Sequence, residues 1–172
     1  MHKTRIDLPE QSRRSLADLL NARLADAIDL KLSAKHAHWN VKGPHFIALH
    51  ELFDGLAAAL DAPIDDMAER ITALGGTADG AIHLVARRTS LDPYPAEIVS
   101  GAAHVEALAN AVAAFGRNVR ASIGEAGGRR PPRRSQAPRH ARPRKRSPQG
   151  RGRATSCARR GGSRPRPCRP AP

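Results

Sequence analysis

The sequence predicts an all-α fold. Three long stretches place apolar residues at three- and four-residue intervals, no stretch alternates apolar and polar residues as a half-buried strand does, and the breaks fall at Gly and Pro. The chain of 172 residues is nevertheless two materials. Residues 1–126 hold 13 Lys+Arg against 16 Asp+Glu, a net charge of −3, and every Leu, Ile, Val, Phe, Met, Trp and Tyr. Residues 127–172 hold 16 Lys+Arg and no acid, so the overall charge of +13 belongs to them alone.

The first helix is expected over residues 9 to about 40, where Leu16, Leu19, Leu20, Leu24, Ala27 and Ile28 form one face. Asp7-Leu8-Pro9-Glu10 supplies an acidic cap, a proline where a missing N–H costs little, and Glu three residues after the cap. Gly43-Pro44 should stop it near Val41. The second helix is expected from about 44 to 74, with Phe46, Leu49, Phe53, Leu56, Leu60, Ile64, Met67, Ile71 and Leu74 on a stripe roughly 80° wide. Pro63 removes one hydrogen bond in its middle without shifting the phase, which predicts one bent helix rather than two. Gly75-Gly76 should end it.

Residues 77–99 form a connection with a short helical candidate at 81–86 and extended backbone at Pro93-Tyr94-Pro95. A third helix is expected from about 100 to 124, carrying Val105, Leu108, Val112, Phe115 and Val119. The domain thus ends near residue 126. Residues 127–172 contain nine prolines, six glycines and no large apolar residue, a composition that predicts disorder.

Several classes are set aside. Cys157 and Cys168 show no metal-binding or disulfide-framework spacing. The N-terminus lacks the apolar core of a signal peptide, and no run is long enough to span a bilayer, so a cytoplasmic protein without membrane partners is expected.

Chemistry concentrates between His36 and Gly76. His38, His50, Asp54, Asp65 and Glu69 are imidazole and carboxylate donors of the kind iron(II) takes. On the second helix His50 and Asp54 are four apart, as are Asp65 and Glu69, so each pair shares a face. All four fall in a sector of roughly 100°, turned about 130° from the apolar stripe. Asp54 and Asp65 stand about 16 Å apart along the axis, too far to serve one ion. A two-fold dimer with antiparallel second helices would join each pair to the other pair on the neighbouring subunit, making two equivalent sites. The same residues also read as a solvated helix face. His36, His45, His83, His104 and His140 are taken as ordinary histidines, and no Glu-x-x-His motif of an ordinary di-iron bundle occurs.

The motifs His38-Trp39-Asn40-Val41-Lys42-Gly43, Phe46, His50-Glu51-Leu52-Phe53-Asp54, and Asp65-Asp66-Met67-Ala68-Glu69-Arg70-Ile71 through Leu74-Gly75-Gly76 resemble the Dps family, the ferritin-like DNA-protection-during-starvation proteins. The resemblance spans roughly residues 10–126. It implies a ferritin-like bundle of four-helix subunits in a spherical dodecamer, which oxidises iron(II), typically with hydrogen peroxide, and stores iron(III) as mineral. It also implies a ferroxidase site between two-fold-related subunits, with His38, His50 and Asp54 from one chain and Asp65 and Glu69 from the other. Trp39, beside a ligand, would intercept stray oxidising equivalents, although plain core packing explains it equally well.

Nothing in residues 127–172 matches the family's fourth helix. Two explanations stand: a genuine basic extension that binds DNA phosphates non-specifically near the nucleoid, or an out-of-frame reading of GC-rich DNA, which encodes Arg, Pro, Gly and Ala. Two functions follow from different classes, an iron-oxidising storage enzyme and a non-catalytic DNA-binding protein acting through its basic residues.

Overall fold

The computed structural model describes residues 1–128. Five helices follow in order: α1 (Glu10–Asn40), α2 (Phe46–Ala59), α3 (Asp61–Ala73), α4 (Ile82–Arg88) and α5 (Gly101–Gly128). Among the described residues there is no strand, and Lys42 and Ser100 form only an isolated bridge. α1 packs against each of the other four helices and is the axis of the bundle. No helix of the described residues is long and apolar enough to cross a membrane.

Two details at the ends of α1 differ from expectation or refine it. Pro9 occupies the capping position and no side chain caps the helix, because Asp7 lies two residues too early to reach the free amides. At the other end Val41 turns to extended backbone and Gly43 takes φ 113°, the left-handed geometry that the Gly43-Pro44 break requires.

The helix expected as one bent rod over 44–74 is two segments, α2 and α3, separated by Leu60 alone. Pro63 has no N–H to offer the Ala59 carbonyl, so the ladder fails at the acceptor's end of the lost bond and not at Ala62-Pro63. Leu60 keeps near-helical angles (φ −87°, ψ −12°), and the Ile64 N–H returns to the Leu60 carbonyl at 3.0 Å. The apolar phase therefore survives the interruption: Phe53, Leu60, Ile71 and Leu74 are all buried. Phe46, at the start of the stripe, is exposed.

α3 closes in a Schellman motif. The Gly76 N–H bonds the Ile71 carbonyl at 2.9 Å and the Gly75 N–H bonds the Thr72 carbonyl at 2.8 Å, with Gly75 at φ 87°. A Cβ on Gly75 would run into the His2 carbonyl. The guanidinium of Arg13, buried on α1, then donates to the Leu74 carbonyl at 2.8 Å, and Asn21 clamps the next turn, giving its amide to the Thr77 carbonyl and accepting the Asp79 N–H, each at 2.9 Å.

α5 starts at Gly101 and runs through the expected end at Gly124 to Gly128. Gly124 has ordinary helical backbone and open space around it, so nothing there stops the helix. Of its apolar stripe only Leu108 is buried, while Val105 and Val112 are exposed. The expectation of disorder over 127–172 falls, apart from Gly127 and Gly128 at the end of α5, on residues outside those described.

The buried carboxylate Asp26 ties the bundle together. It accepts the Ser90 N–H at 2.7 Å and hydroxyl at 3.0 Å, the Asn118 amide at 3.3 Å, and pairs with Arg23 at 3.2 Å. α1, the loop after α4, and α5 are thereby joined by one fully enclosed side chain.

Candidate metal centre

The turn at Gly43 folds the start of α2 back on the end of α1, which sets His38 against His50. Their rings stack with centroids 3.6 Å apart and planes 23° from parallel. His50 Nδ1 donates to the His38 carbonyl at 2.9 Å, and His38 Nδ1 donates to the His50 carbonyl at 2.8 Å. Both acceptors are carbonyl oxygens, so both Nδ1 atoms must carry hydrogen. In the neutral rings this leaves each Nε2 with a free lone pair, the tautomer a metal-binding imidazole needs. The His38 carbonyl is available because it belongs to the last turn of α1, and the Lys42 N–H that would have satisfied it bonds Val99 instead at 3.3 Å.

Asp54 lies one turn beyond His50 on α2, exposed, with Lys35 Nζ 2.6 Å from its Oδ1. That hydrogen bond is the main reason its carboxyl sits below the ordinary aspartate value, with smaller contributions from the charge of Lys35 and from His38 and His50 nearby. Asp65 and Glu69 are exposed on α3, one turn apart, and Asp65 borders a shallow depression with Asp61, Ala62, Ile64 and Ala68. Among the described residues no three His, Cys, Asp or Glu side chains converge to hold one ion. Of the five predicted donors, one chain brings His38 and His50 together near Asp54 and leaves Asp65 and Glu69 on the next helix.

Trp39 is 68% exposed, which overturns core packing as the reason for it. Its ring lies 5.7 Å from the Lys35 ammonium. Phe46, exposed at the start of α2, flanks His50 at 5.1 Å between ring centroids.

His104, read from sequence as an ordinary histidine, is fully buried and bonds the Tyr94 hydroxyl through Nδ1 at 2.6 Å. His36 stands edge-on to Tyr94 at 5.4 Å. Burial, and next the neighbouring His36, push the His104 imidazole below its usual range, while burial raises the Tyr94 phenol. This group supports the fold, and its only sequence signal was a histidine at a core-facing position of the third helix.

Comparison with known proteins agrees with this architecture. Residues 17–130 match the ferritin-like domain family. A DNA protection during starvation protein of Agrobacterium fabrum is 47% identical over 107 residues, covering 62% of this chain and 66% of that protein. One from Mycolicibacterium smegmatis is 37% identical over 101 residues, covering 59% and 55%. The chain thus spans just under two thirds and about half of these two relatives. The solved structure of the Mycobacterium smegmatis Dps superposes with a TM-score of 0.71 at 32% identity, over 76% of this chain and 79% of that one. Sequence and fold place this chain in the Dps branch of the ferritin-like family.

Proposed function

We propose that this protein oxidises iron(II) with hydrogen peroxide and retains the iron(III) product, protecting DNA from peroxide-driven damage. The observation that carries the reading is the His38–His50 pair, whose hydrogen bonding frees both Nε2 atoms beside the ionised carboxylate of Asp54. Two neutral imidazoles and a carboxylate suit iron(II), and added carboxylates favour iron(III). Asp65 and Glu69 supply those carboxylates from a two-fold-related subunit, which makes the enzyme a homo-oligomer, by family resemblance a dodecamer.

Iron is the substrate. Two iron(II) ions give up one electron each to one peroxide, whose O–O bond breaks and whose oxygens take up protons to leave as water. The chain's part is to hold the ions close together: His38 and His50 through Nε2, Asp54, Asp65 and Glu69 through carboxylate oxygen. Exposed Trp39 beside the site is a sacrificial donor for stray one-electron oxidants.

The sixteen Lys and Arg of residues 127–172 provide a non-specific DNA contact, in keeping with a cytoplasmic, nucleoid-associated role, and DNA binding through them with no iron chemistry is the competing reading. Peroxide-dependent iron(II) oxidation by the full chain, abolished in His50→Ala and Asp54→Ala, supports the enzyme. Unchanged oxidation in both variants, with DNA binding lost on removal of residues 129–172, favours the competitor.

A further inference from the structure

α5 rests mainly on α1, so a groove opens between it and the α2–α3 pair. Its walls are apolar. Leu52 and Leu56 on α2 line one end together with Val105 and Val112, and Met67 and Leu74 on α3 line the other with Val119 and Ile123. Leu52, Val105, Val112 and Ile123 are exposed, Ile123 at 66%.

The side of α5 that borders the groove repeats every seven residues, with Val105, Val112 and Val119 in one row and Ala109, Gly116 and Ile123 in the next. That is the period of helices that pack lengthwise on one another. A glycine weakens a helix interior, and a Cβ on Gly116 would meet only the end of Arg120 on its own helix. Packing within the chain does not call for Gly116, whereas the close approach of a second helix uses it.

Residues 129–172 hold no Leu, Ile, Val, Phe, Met, Trp or Tyr and no acid, so they bring neither an apolar face nor a counter-charge to the groove. α5 of a second copy brings both. Laid antiparallel about a two-fold axis at Val112, two such helices set Val105 against the partner's Val119, and Glu106 level with the partner's Arg117 and Arg120. Arg70, which has no carboxylate partner among the described residues, lines the groove at that same level. A helix of 28 residues is about 42 Å long and about 10 Å wide, a footprint on the order of 400 Å². Each chain contributes it twice, as guest and as groove, which approaches the roughly 800 Å² per partner of a stable contact.

We propose that two copies of this chain pair through α5, each laying that helix in the groove of the other. The pairing uses none of the iron chemistry and leaves free the helix face that carries His50, Asp54, Asp65 and Glu69. A closed shell of twelve gives each chain one two-fold partner, across that donor face, so an α5 pair joins chains that do not share a shell.

The test uses the full-length protein without iron at low ionic strength, followed by sedimentation and by cross-linking. With Cys157→Ser and Cys168→Ser removing the chain's own thiols, Val112→Cys on the axis links to itself under mild oxidation, and Ala121→Cys on the opposite side of α5 does not. Val112→Asp and Gly116→Leu, each checked for wild-type helix content, weaken self-association at least about ten-fold. Glu106→Arg weakens it about three-fold, and adding Arg120→Glu restores most of the loss. Self-association equal to wild type in both Val112→Asp and Gly116→Leu overturns the pairing, as does cross-linking through Ala121→Cys at the rate of Val112→Cys. If Val112→Cys links only after residues 129–172 are removed, those residues are the occupant and the proposal fails. His50→Ala leaves the α5 pair intact, so failure here and failure of the iron-binding reading are separate results.

Discussion

His38 and His50 each cap the other's backbone: two stacked imidazoles exchange Nδ1–H bonds to two carbonyls across the turn that links α1 to α2. The pair fastens the helices and prepares two metal-binding nitrogens by the same contacts. His50→Ala therefore carries two costs. Stability should fall by about 1 kcal/mol in urea unfolding, the net value of a hydrogen bond that leaves an orphaned helix-end carbonyl, and iron(II) binding should be lost. Loss of metal binding with unchanged stability would mean that the reciprocal bonds do not form in solution.

Gly75 and Gly124 should respond in opposite directions to the same substitution. Gly75→Ala forces a side chain into left-handed backbone and against the His2 carbonyl, and should cost about 2 kcal/mol or more. Gly124→Ala, within a helix and facing open space, should stabilise by roughly 0.5–1 kcal/mol. Thermal unfolding of the two variants measures both.

Asp26 is enclosed and satisfied by four groups from three parts of the chain. Asp26→Ala strands the Arg23 charge, which is only 15% exposed, together with the Ser90 N–H, and should destabilise by about 3 kcal/mol. Chemical denaturation that gives less than about 1 kcal/mol would show that water replaces the lost carboxylate.

His104 predicts an acid limb in stability. Its folded-state pKa is lowered, so the unfolded chain takes up a proton more readily. The stability it contributes is present above the ordinary histidine value of 6.5 and is lost as pH falls from there toward the depressed folded value. Inside the fold the ring faces Tyr94, His36 and Phe53, none of them an anion that would offset a proton. Unfolding free energies at pH 7.5 and pH 5 should differ more in wild type than in His104→Gln; equal differences would exclude His104 as the source.

The long helices were legible because burial imposes its period on Leu, Ile, Val and Phe. The interruption at Leu60 was half legible: Pro63 announced a defect, but the ladder opens four residues upstream, at the Ala59 carbonyl that lost its donor, and the helix is interrupted at the next residue. The polar ties were not legible at all. Asp26, Asn21 and Arg13 sit on α1 among ordinary charges, and their partners lie as far off in sequence as Asn118 and Leu74. At the candidate centre, the spacing of His50 to Asp54 and of Asp65 to Glu69 could be read directly, whereas the stacking of His38 on His50 depends on how tightly the chain turns at Gly43. Exposure of Trp39 had no signal in local sequence, since an aromatic residue near a helix end is as often packed as open.

The central claim is that each iron site is completed across two subunits, and complementation tests it most directly. One variant lacks His50 and Asp54 through alanine substitution, the other lacks Asp65 and Glu69, and each alone should be inactive in peroxide-dependent iron(II) oxidation. Mixed by refolding at equal amounts, half the dimers pair unlike subunits, and each of those holds one intact site of two, so activity should return to about a quarter of wild type. No recovery in mixtures shown by mass to contain unlike pairs, or full activity in either variant alone, would contradict the two-subunit site.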